Sequence, residues 1–193
     1  MSRRSLTREG IVSAALQMID EKGTDAFSVR QLASSLGVQV SSLYNHIENE
    51  NDLLLEVAKR TGEMYTDFVA GRMGDLPLDE AIFKAGDAFR EFIRAHRYLY
   101  ELMLDGRWVG NAEFAEANER FTQPIFWILK LYGVEDPAEM EHLYVAMRIV
   151  THGFSSLDAL GVFDGLSVDT TESYHRMIGS VIKTMKAPGK KGD

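Results

Sequence analysis

The chain has 193 residues, a formal net charge of −8 and no cysteine, with 45% hydrophobic and 26% charged residues. This composition is that of a globular protein with a buried core, and the absence of cysteine excludes disulfide scaffolds and cysteine-based zinc sites and favours a cytoplasmic setting. The N-terminus lacks the apolar run of a signal peptide, and the longest apolar-rich stretch, residues 121–133, is too short to span a bilayer, so we expect no membrane segment.

Helical periodicity and helix-capping residues follow one another along the chain, and no segment alternates as a strand does. Thr7, Ser28 and Asn49 are suited to begin helices, while Gly23 and Gly37 are suited to end them. The predicted helices span residues 8–22, 29–36, 39–47, 50–70, 78–96, 98–104, 113–132, 137–160 and 168–186. The sequence therefore predicts an all-α fold of about nine helices, with a three-helix N-terminal head and a larger helical bundle.

Residues 29–47 have the pattern of a helix-turn-helix motif, in which two short helices meet at Gly37. Ala33, four residues before this glycine, is small where the second helix must approach closely. The apolar residues that would pack the motif against the first helix are Leu32, Leu36, Val38, Leu43 and Ile47. Residues 34–47 contain no acid, and residues 1–47 carry +1 while the rest of the chain carries −9. This local charge placement favours a negatively charged partner.

The face of the second motif helix that points away from this core carries polar side chains, which can bind base edges and phosphates. Arg30 begins the preceding helix, and Arg3, Arg4 and Arg8 form a basic arm of the kind that follows a groove. The predicted DNA-contacting residues are Arg3, Arg4, Arg30, Gln39, Val40, Ser41, Ser42, Tyr44, Asn45 and His46. The alternative interpretation is a helical corner whose polar residues face water.

Residues 7–57 resemble the DNA-binding region of the tetracycline-repressor (TetR) family of transcriptional regulators. The resemblance covers the first helix, the turn at 23–27, "VRQLASSLGV" at 29–38, "SLYNHI" at 42–47 and the leucines that open the next helix. It implies a homodimer that reads a palindromic double-stranded DNA operator, usually as a repressor, and a C-terminal domain that dimerises and binds a small molecule. The predicted domains are a DNA-binding domain at 1–48, an effector-binding and dimerisation domain at 49–187 and a flexible tail at 188–193.

Two positions depart from family patterns. Where the family usually has a lysine at the start of helix four, this chain has Glu50, which repels DNA, so we expect weaker and more salt-sensitive binding unless the arginine arm compensates. Residues 148–163 are similar to a C-terminal subclass named for a Trp, His and Gly signature. His152 and Gly153 are present there, and Arg148 stands where the tryptophan is expected.

Aromatic and methionine side chains are abundant after residue 80, and they predict a site for an apolar or aromatic effector. The predicted effector-binding residues are Phe89, Phe92, Met103, Trp108, Phe121, Trp127, Tyr144, Met147 and His152. The alternative is that these side chains fill the core of the bundle. The arginines at 90, 94, 97 and 107 could anchor a carboxylate effector, although a solvated helix face explains the first three equally well. The histidines lack metal-ligand spacing, so we predict no metal and no other cofactor.

The last two predicted helices carry apolar stripes that suggest a homodimer through a four-helix interface. These residues are Leu143, Met147, Val150, Phe154, Leu157, Met177, Ile178, Val181, Ile182 and Met185. Burial within the protomer is the alternative. Since the chain contains no recognisable catalytic motif, we predict that it is not an enzyme. A small all-helical enzyme and a ligand-independent architectural DNA-binding protein remain the rival functions.

Overall fold

The computed structural model describes residues 6–73 and 76–186, so Arg3, Arg4 and the predicted tail at 188–193 lie outside the described residues. The helices are α1 (Arg8–Lys22), α2 (Val29–Leu36), α3 (Val40–Leu43), α4 (Glu50–Met73), α5 (Leu78–Ala95), α6 (Arg97–Met103), α7 (Ala112–Leu131), α8 (Pro137–Ala159) and α9 (Thr170–Lys186). Short 3₁₀ turns occupy Thr24–Ala26 and Gly106–Trp108. The described residues contain no strand, which confirms the predicted all-α fold. Over those same residues, no helix combines the length and the hydropathy needed to cross a bilayer.

Side-chain caps begin the helices at the predicted positions. Thr7, Ser28 and Asn49 each accept a hydrogen bond from the backbone N–H three residues later, at 3.1, 3.2 and 2.9 Å. Each bond satisfies a donor that the first helical turn leaves without an intrahelical partner. The predicted ends at Gly23 and Gly37 are also confirmed, and both glycines have positive φ, 82° and 67°.

The third helix is shorter than predicted. Regular α-helix ends at Leu43, whose carbonyl accepts the N–H of His46 at 2.8 Å and that of Ile47 at 3.1 Å. The bond from His46 spans three residues instead of four, which tightens the last turn into 3₁₀-like geometry. The predicted helix end at Ile47 is therefore wrong by about one turn.

The chain divides into two compact units. Unit 1 lies within Met1–Tyr65 and His96–Glu119, and unit 2 lies within Thr66–Ala95 and Arg120–Asp193. Consequently α6 and the 3₁₀ turn after it belong with the helix-turn-helix motif, while α4 and α7 each contribute residues to both units. The predicted boundary after residue 48 concerns the division of function and stays a prediction.

The core of unit 1 packs the helix-turn-helix motif against α1, the first half of α4 and α6. Its most deeply buried side chains are Ile11, Ala15, Ile19, Leu32, Leu43, Leu53, Val57, Ala58 and Leu99. Trp108 closes this core, and its indole N–H donates to the Leu102 carbonyl at 2.6 Å. Full burial of each large aliphatic side chain contributes about 1.5–3 kcal/mol before conformational entropy is subtracted, so this core holds the short motif helices in place.

The core of unit 2 lies among α5, α7, α8 and α9. Its buried residues are Ile82, Ile128, Leu129, Val134, Leu143, Met147, Tyr174, Ile178 and Ile182. Gly86 lets α5 and α9 approach closely, because a Cβ there would lie 2.7 Å from Cδ1 of Ile178. The Tyr174 hydroxyl donates to the Gly86 carbonyl at 3.2 Å, which fixes the register of the two helices.

This core corrects the predicted dimer stripes. Leu143, Met147, Ile178 and Ile182 are buried within the protomer, so they are wrong as interface residues. Hydrophobic periodicity identifies a face that is buried, but it does not say whether the same chain or a second copy buries it. Val150, Phe154 and Val181 are half-buried against the same core, Leu157 and Met177 are exposed, and the Met185 side chain lies outside the described part.

Candidate nucleic-acid interface and effector site

The structure exposes the polar side of the helix-turn-helix motif and buries the other side. Arg30, Gln39, Ser41, Tyr44 and Asn45 are exposed, and Val40, Ser42 and His46 are half-buried. In the same segment Leu43 and Ile47 are buried in the unit 1 core. The eight described residues predicted to contact DNA are thus accessible to a ligand. Whether they contact DNA stays a prediction.

A Schellman motif sets the turn between the two motif helices. The Gly37 N–H donates to the Ser34 carbonyl at 3.2 Å, and the Val38 N–H donates to the Ala33 carbonyl at 3.0 Å. This pair of bonds requires a left-handed residue between them, and glycine adopts that conformation without a Cβ penalty. The turn therefore gives α3 one defined direction relative to α2.

Arg8 holds the end of residues 39–47, here called the recognition segment, against the start of α4. Its guanidinium donates to both Asp52 carboxylate oxygens, at 2.7 and 3.0 Å, and to the His46 carbonyl at 2.8 Å. The hydrogen bonds from Arg8 keep the pKa of the Asp52 carboxyl below its usual value. Asp52 also accepts the Glu48 N–H at 2.9 Å. The structure thus gives Arg8 a positioning contact within unit 1 instead of the predicted place in a basic arm.

Glu50, which stands where the family usually has a lysine, is exposed at the first residue of α4. Arg107 reaches the same turn from the 3₁₀ segment after α6, with one guanidinium nitrogen 3.4 Å from the Asn51 side-chain oxygen. The Arg107 guanidinium also pairs with Asp105 at 2.9 Å, which neutralises most of its charge locally. The start of α4 therefore keeps an acidic character.

The predicted effector residues fall in both units. Phe89, Phe92, Phe121, Trp127, Tyr144, Met147 and His152 belong to unit 2, whereas Met103 and Trp108 belong to unit 1. Trp108 is a core residue there, and Trp127 is 60% exposed, so neither is buried beside His152 in unit 2. Sequence reasoning placed them together because it had no signal that α6 packs with the helix-turn-helix motif.

The four arginines proposed as a carboxylate anchor are not one cluster. Arg97 and Arg107 lie in unit 1 and pair with carboxylates of their own element, at 2.8 and 2.9 Å. Arg90 binds both oxygens of Asp158, at 2.8 and 2.9 Å, and donates to two threonine hydroxyls at the start of α9. Arg94 lies 3.7 Å from the same carboxylate. The bond from Arg90 lowers the pKa of Asp158, so this pair is an internal tie between α5, α8 and α9.

A line of polar side chains runs along one face of α8. Tyr144, Arg148 and His152 follow one another at four-residue spacing, which places them on the same side of a helix. The Tyr144 ring stacks on Phe126 with centroids 4.7 Å apart, and Arg148 donates to the Tyr144 hydroxyl at 3.0 Å. The His152 ring meets the Phe89 ring edge to face, with centroids 4.8 Å apart.

His152 is a neutral imidazole at physiological pH. Burial lowers its pKa to about 3, and the positive charge of Arg148 adds to this shift. One turn further along α8, the Ser155 hydroxyl is fully buried and has no hydrogen-bond partner. Sequence reasoning gave no role to Arg148 or Ser155, although an arginine in place of an expected tryptophan was the available signal.

Within residues 6–73 and 76–186, no three histidine or acidic side chains are grouped so as to hold a metal ion.

Comparison with known proteins gives two family matches. The family model of bacterial tetR-family regulatory proteins matches residues 11–57, and the model of a tetracyclin repressor-like C-terminal domain matches residues 82–181. A similar protein is an uncharacterised helix-turn-helix transcriptional regulator of Mycobacterium tuberculosis, 29% identical over 171 residues, which cover 85% of this chain and 75% of the relative.

Solved structures share the fold. The regulator SCO7222, a TetR from Streptomyces coelicolor, has a TM-score of 0.75 at 18% identity, covering 95% of this chain and 99% of that one. A structure of BioQ with its natural double-stranded DNA operator has a TM-score of 0.67 at 19% identity, covering 93% of this chain and 99% of that one.

Proposed function

Because the chain belongs to the tetracycline-repressor (TetR) family of transcriptional regulators, we propose that it is a repressor that binds palindromic operator DNA as a homodimer and is released by a small-molecule effector. The observation that carries this proposal is that the recognition segment, residues 39–47, has one buried apolar side and one exposed polar side. Its apolar side is fixed in the unit 1 core, while Gln39, Tyr44 and Asn45 stand exposed. Side chains of this kind bind base edges and phosphates in the major groove.

Dimerisation supplies the contacts that one short recognition helix lacks. We propose that a second copy packs on the face of α8 that carries Val145, Ile149 and Leu157, which are exposed apolar residues at helical spacing. Gly153 lies on the same face, is exposed and has no other atom within 4 Å of an added Cβ, so a partner helix can approach it closely. This face replaces the buried stripes that periodicity suggested.

Light scattering tests the dimer. Ile149→Glu places a charge in the centre of the proposed interface, and we expect a monomer with operator affinity at least about tenfold weaker. Leu131→Glu is the matched control, because Leu131 is a similarly exposed leucine on α7. A dimeric Ile149→Glu variant contradicts this interface.

Effector release is proposed to act through a population shift. A ligand that favours one spacing of the two recognition segments disfavours half-sites that lie about 34–36 Å apart. The helix α4 is the proposed lever, because its residues belong partly to unit 1 and partly to unit 2.

Selection of bound fragments from the source genome tests the regulatory function and supplies the operator. We expect enrichment of a palindrome, and a salt titration should show operator binding at least about a thousandfold tighter than random DNA. Equal affinity for both supports the rival architectural role, and no DNA binding at low ionic strength leaves the enzyme hypothesis.

A further inference from the structure

Arg148 differs from four other arginines of unit 2. Arg72, Arg90, Arg94 and Arg176 each lie within 2.6–3.7 Å of a carboxylate oxygen. Arg148 is half-buried and donates to the neutral hydroxyl of Tyr144, and among the described residues no carboxylate lies within ion-pair distance of it. A guanidinium has five N–H donors and a permanent charge. The Tyr144 hydroxyl accepts one N–H bond and the Tyr144 ring centroid lies 5.6 Å from Cζ of Arg148, but no carboxylate of the described residues balances the charge.

A second polar group on the same face is also unsatisfied. Ser155 is 0% exposed, and its hydroxyl oxygen has no hydrogen-bond partner. A buried polar group without a partner has lost its hydrogen bonds to water and gained none, so such groups are rare unless they serve a function. His152 lies between Arg148 and Ser155 in the sequence and contributes a neutral ring to this face.

We propose that the effector is an organic monoanion with an apolar body, and that its acid group pairs with Arg148. This inference rests on the proposed function, in which unit 2 takes a small-molecule effector. A carboxylate accepts two parallel N–H bonds from a guanidinium, a geometry that lysine lacks. One guanidinium beside a neutral imidazole matches a single negative charge and disfavours dianions such as phosphate monoesters.

The surroundings of Arg148 define the rest of the ligand. Phe126 and Tyr144 form a stacked pair on one side, and Phe89 contacts His152 further along the helix. These rings favour an aromatic or long aliphatic body. The His152 ring lies four residues beyond Arg148 along α8, and the Ser155 hydroxyl lies seven residues beyond it. They can bind a polar group at the far end of the ligand.

Calorimetric titration with matched acids and amides tests the proposal. The probes are phenylacetate, 4-phenylbutyrate, 1-naphthylacetate, hexanoate and decanoate, each compared with its primary amide. We expect wild type to bind at least one acid about tenfold or more tightly than its amide, and Arg148→Met to lose that preference. Arg176→Met is the control, because Arg176 is an exposed arginine of the same unit and should leave the preference intact.

Three results overturn the inference: no acid binds wild type, no acid binds better than its amide, or Arg148→Met keeps the full preference. Thermal unfolding of the ligand-free variants separates binding from a structural role. We expect Arg148→Met to unfold no lower than wild type, because the substitution removes a half-buried charge that pairs with no carboxylate among the described residues. Should Arg148→Met fail to fold, Arg148→Lys is expected to keep a reduced acid preference, and an undiminished one contradicts the proposed two-bond contact.

Operator binding distinguishes this inference from the proposed function. If wild type prefers operator DNA but only neutral compounds release it, the anion inference is wrong and the regulator stands. If wild type shows the Arg148-dependent acid preference but no preference for any DNA, the ligand site stands and the regulatory function is wrong.

Discussion

The guanidinium of Arg8 binds the carboxylate of Asp52 through two hydrogen bonds, at 2.7 and 3.0 Å, across 44 residues of sequence. The same guanidinium donates to the carbonyl of His46, the last of the predicted DNA-contacting residues. One side chain therefore fixes the first turn of α1, the end of the recognition segment and the first turn of α4 together. The positions of the exposed side chains on and beside α3 therefore depend on this contact.

Arg8→Met should lower the free energy of unfolding by about 1 kcal/mol, a small value because the Arg8 side chain is 42% exposed and solvent screens the pair. Operator affinity should fall more than stability does, since the His46 carbonyl loses its donor. Urea unfolding and fluorescence anisotropy measure the two effects. Arg60→Met is the control, because Arg60 pairs with Glu63 on the exposed side of α4. Equal effects of the two substitutions contradict a positioning role for Arg8.

Gly37→Ala should destabilise the protein by about 1–2 kcal/mol, because φ at Gly37 is 67° and alanine is strained in that conformation. An added Cβ there has no atom within 4 Å, so steric overlap contributes nothing. Gly71→Ala is the opposite case, since Gly71 lies in α4 with equally open space and without positive φ. It should stabilise by about 0.5–1 kcal/mol. Urea unfolding of both variants checks the difference in sign.

The His152 imidazole should make stability fall as the pH is lowered. Its pKa in the folded state is about 3, below the unfolded value of 6.5, so the unfolded chain binds the extra proton first. The stabilisation is fully present above pH 6.5 and is lost towards pH 3, at no more than about 1.4 kcal/mol per pH unit. Unfolding free energies from pH 7 to 5 should drop by up to about 2 kcal/mol.

A substitution isolates this effect. His152→Gln should flatten the dependence between pH 7 and 5, while His142→Gln, at an exposed position of the same helix, should leave it as in wild type. The pKa values of Asp52 and Asp158 are also lowered by their arginine partners, but those carboxylates lose their stabilisation only below about pH 4. A His152→Gln variant with the wild-type slope shows that another group titrates.

Glu50→Lys should strengthen operator binding. The lysine would lie at the positive end of α4, where it would contact a phosphate in place of a repelling carboxylate. Because one more phosphate is neutralised, the slope of log affinity against log salt should become steeper by about one unit. Counterion release thus makes binding by the wild type weaker but less salt-sensitive, which corrects the salt dependence expected from the sequence. Glu80→Lys on α5 makes the same change in net charge and should alter neither quantity. Unchanged operator affinity at fixed salt contradicts a role for Glu50 beside the DNA.

Local features of this chain could be predicted from sequence, and long-range ones could not. The caps at Thr7, Ser28 and Asn49 involve bonds three residues long, so residue type alone indicated them. The helix-turn-helix motif could be predicted because its residues are contiguous, and the family match at residues 11–57 confirms it. The placement of Trp108 beside Leu102 in unit 1 depends on packing between distant segments, which periodicity does not encode.

The face of α8 that carries Arg148 shows the same difference between local features and long-range features. The abundance of aromatic residues predicted an effector site in the part of the chain that forms most of unit 2. The periodicity of apolar residues on α8 identified the face buried in the protomer's own core, and it did not indicate the exposed face at Ile149. The role of Arg148 depends on which carboxylates reach which arginines. That pairing is a property of the folded chain, so residue type alone could not separate Arg148 from Arg90. The available sequence signal was the position of Arg148, where the Trp-His-Gly signature has a tryptophan.

Fluorescence anisotropy titrations test most directly the claim that the exposed side chains beside α3 read DNA. They compare the selected operator with random DNA, for wild type and for the double variant Gln39→Ala/Asn45→Ala. Both side chains are exposed, so the variant should unfold at the wild-type temperature. We predict that wild type binds operator at least about a thousandfold more tightly than random DNA and that the variant loses most of this ratio. Equal binding of both DNAs by wild type at low ionic strength, or an unchanged ratio in the variant, contradicts the account.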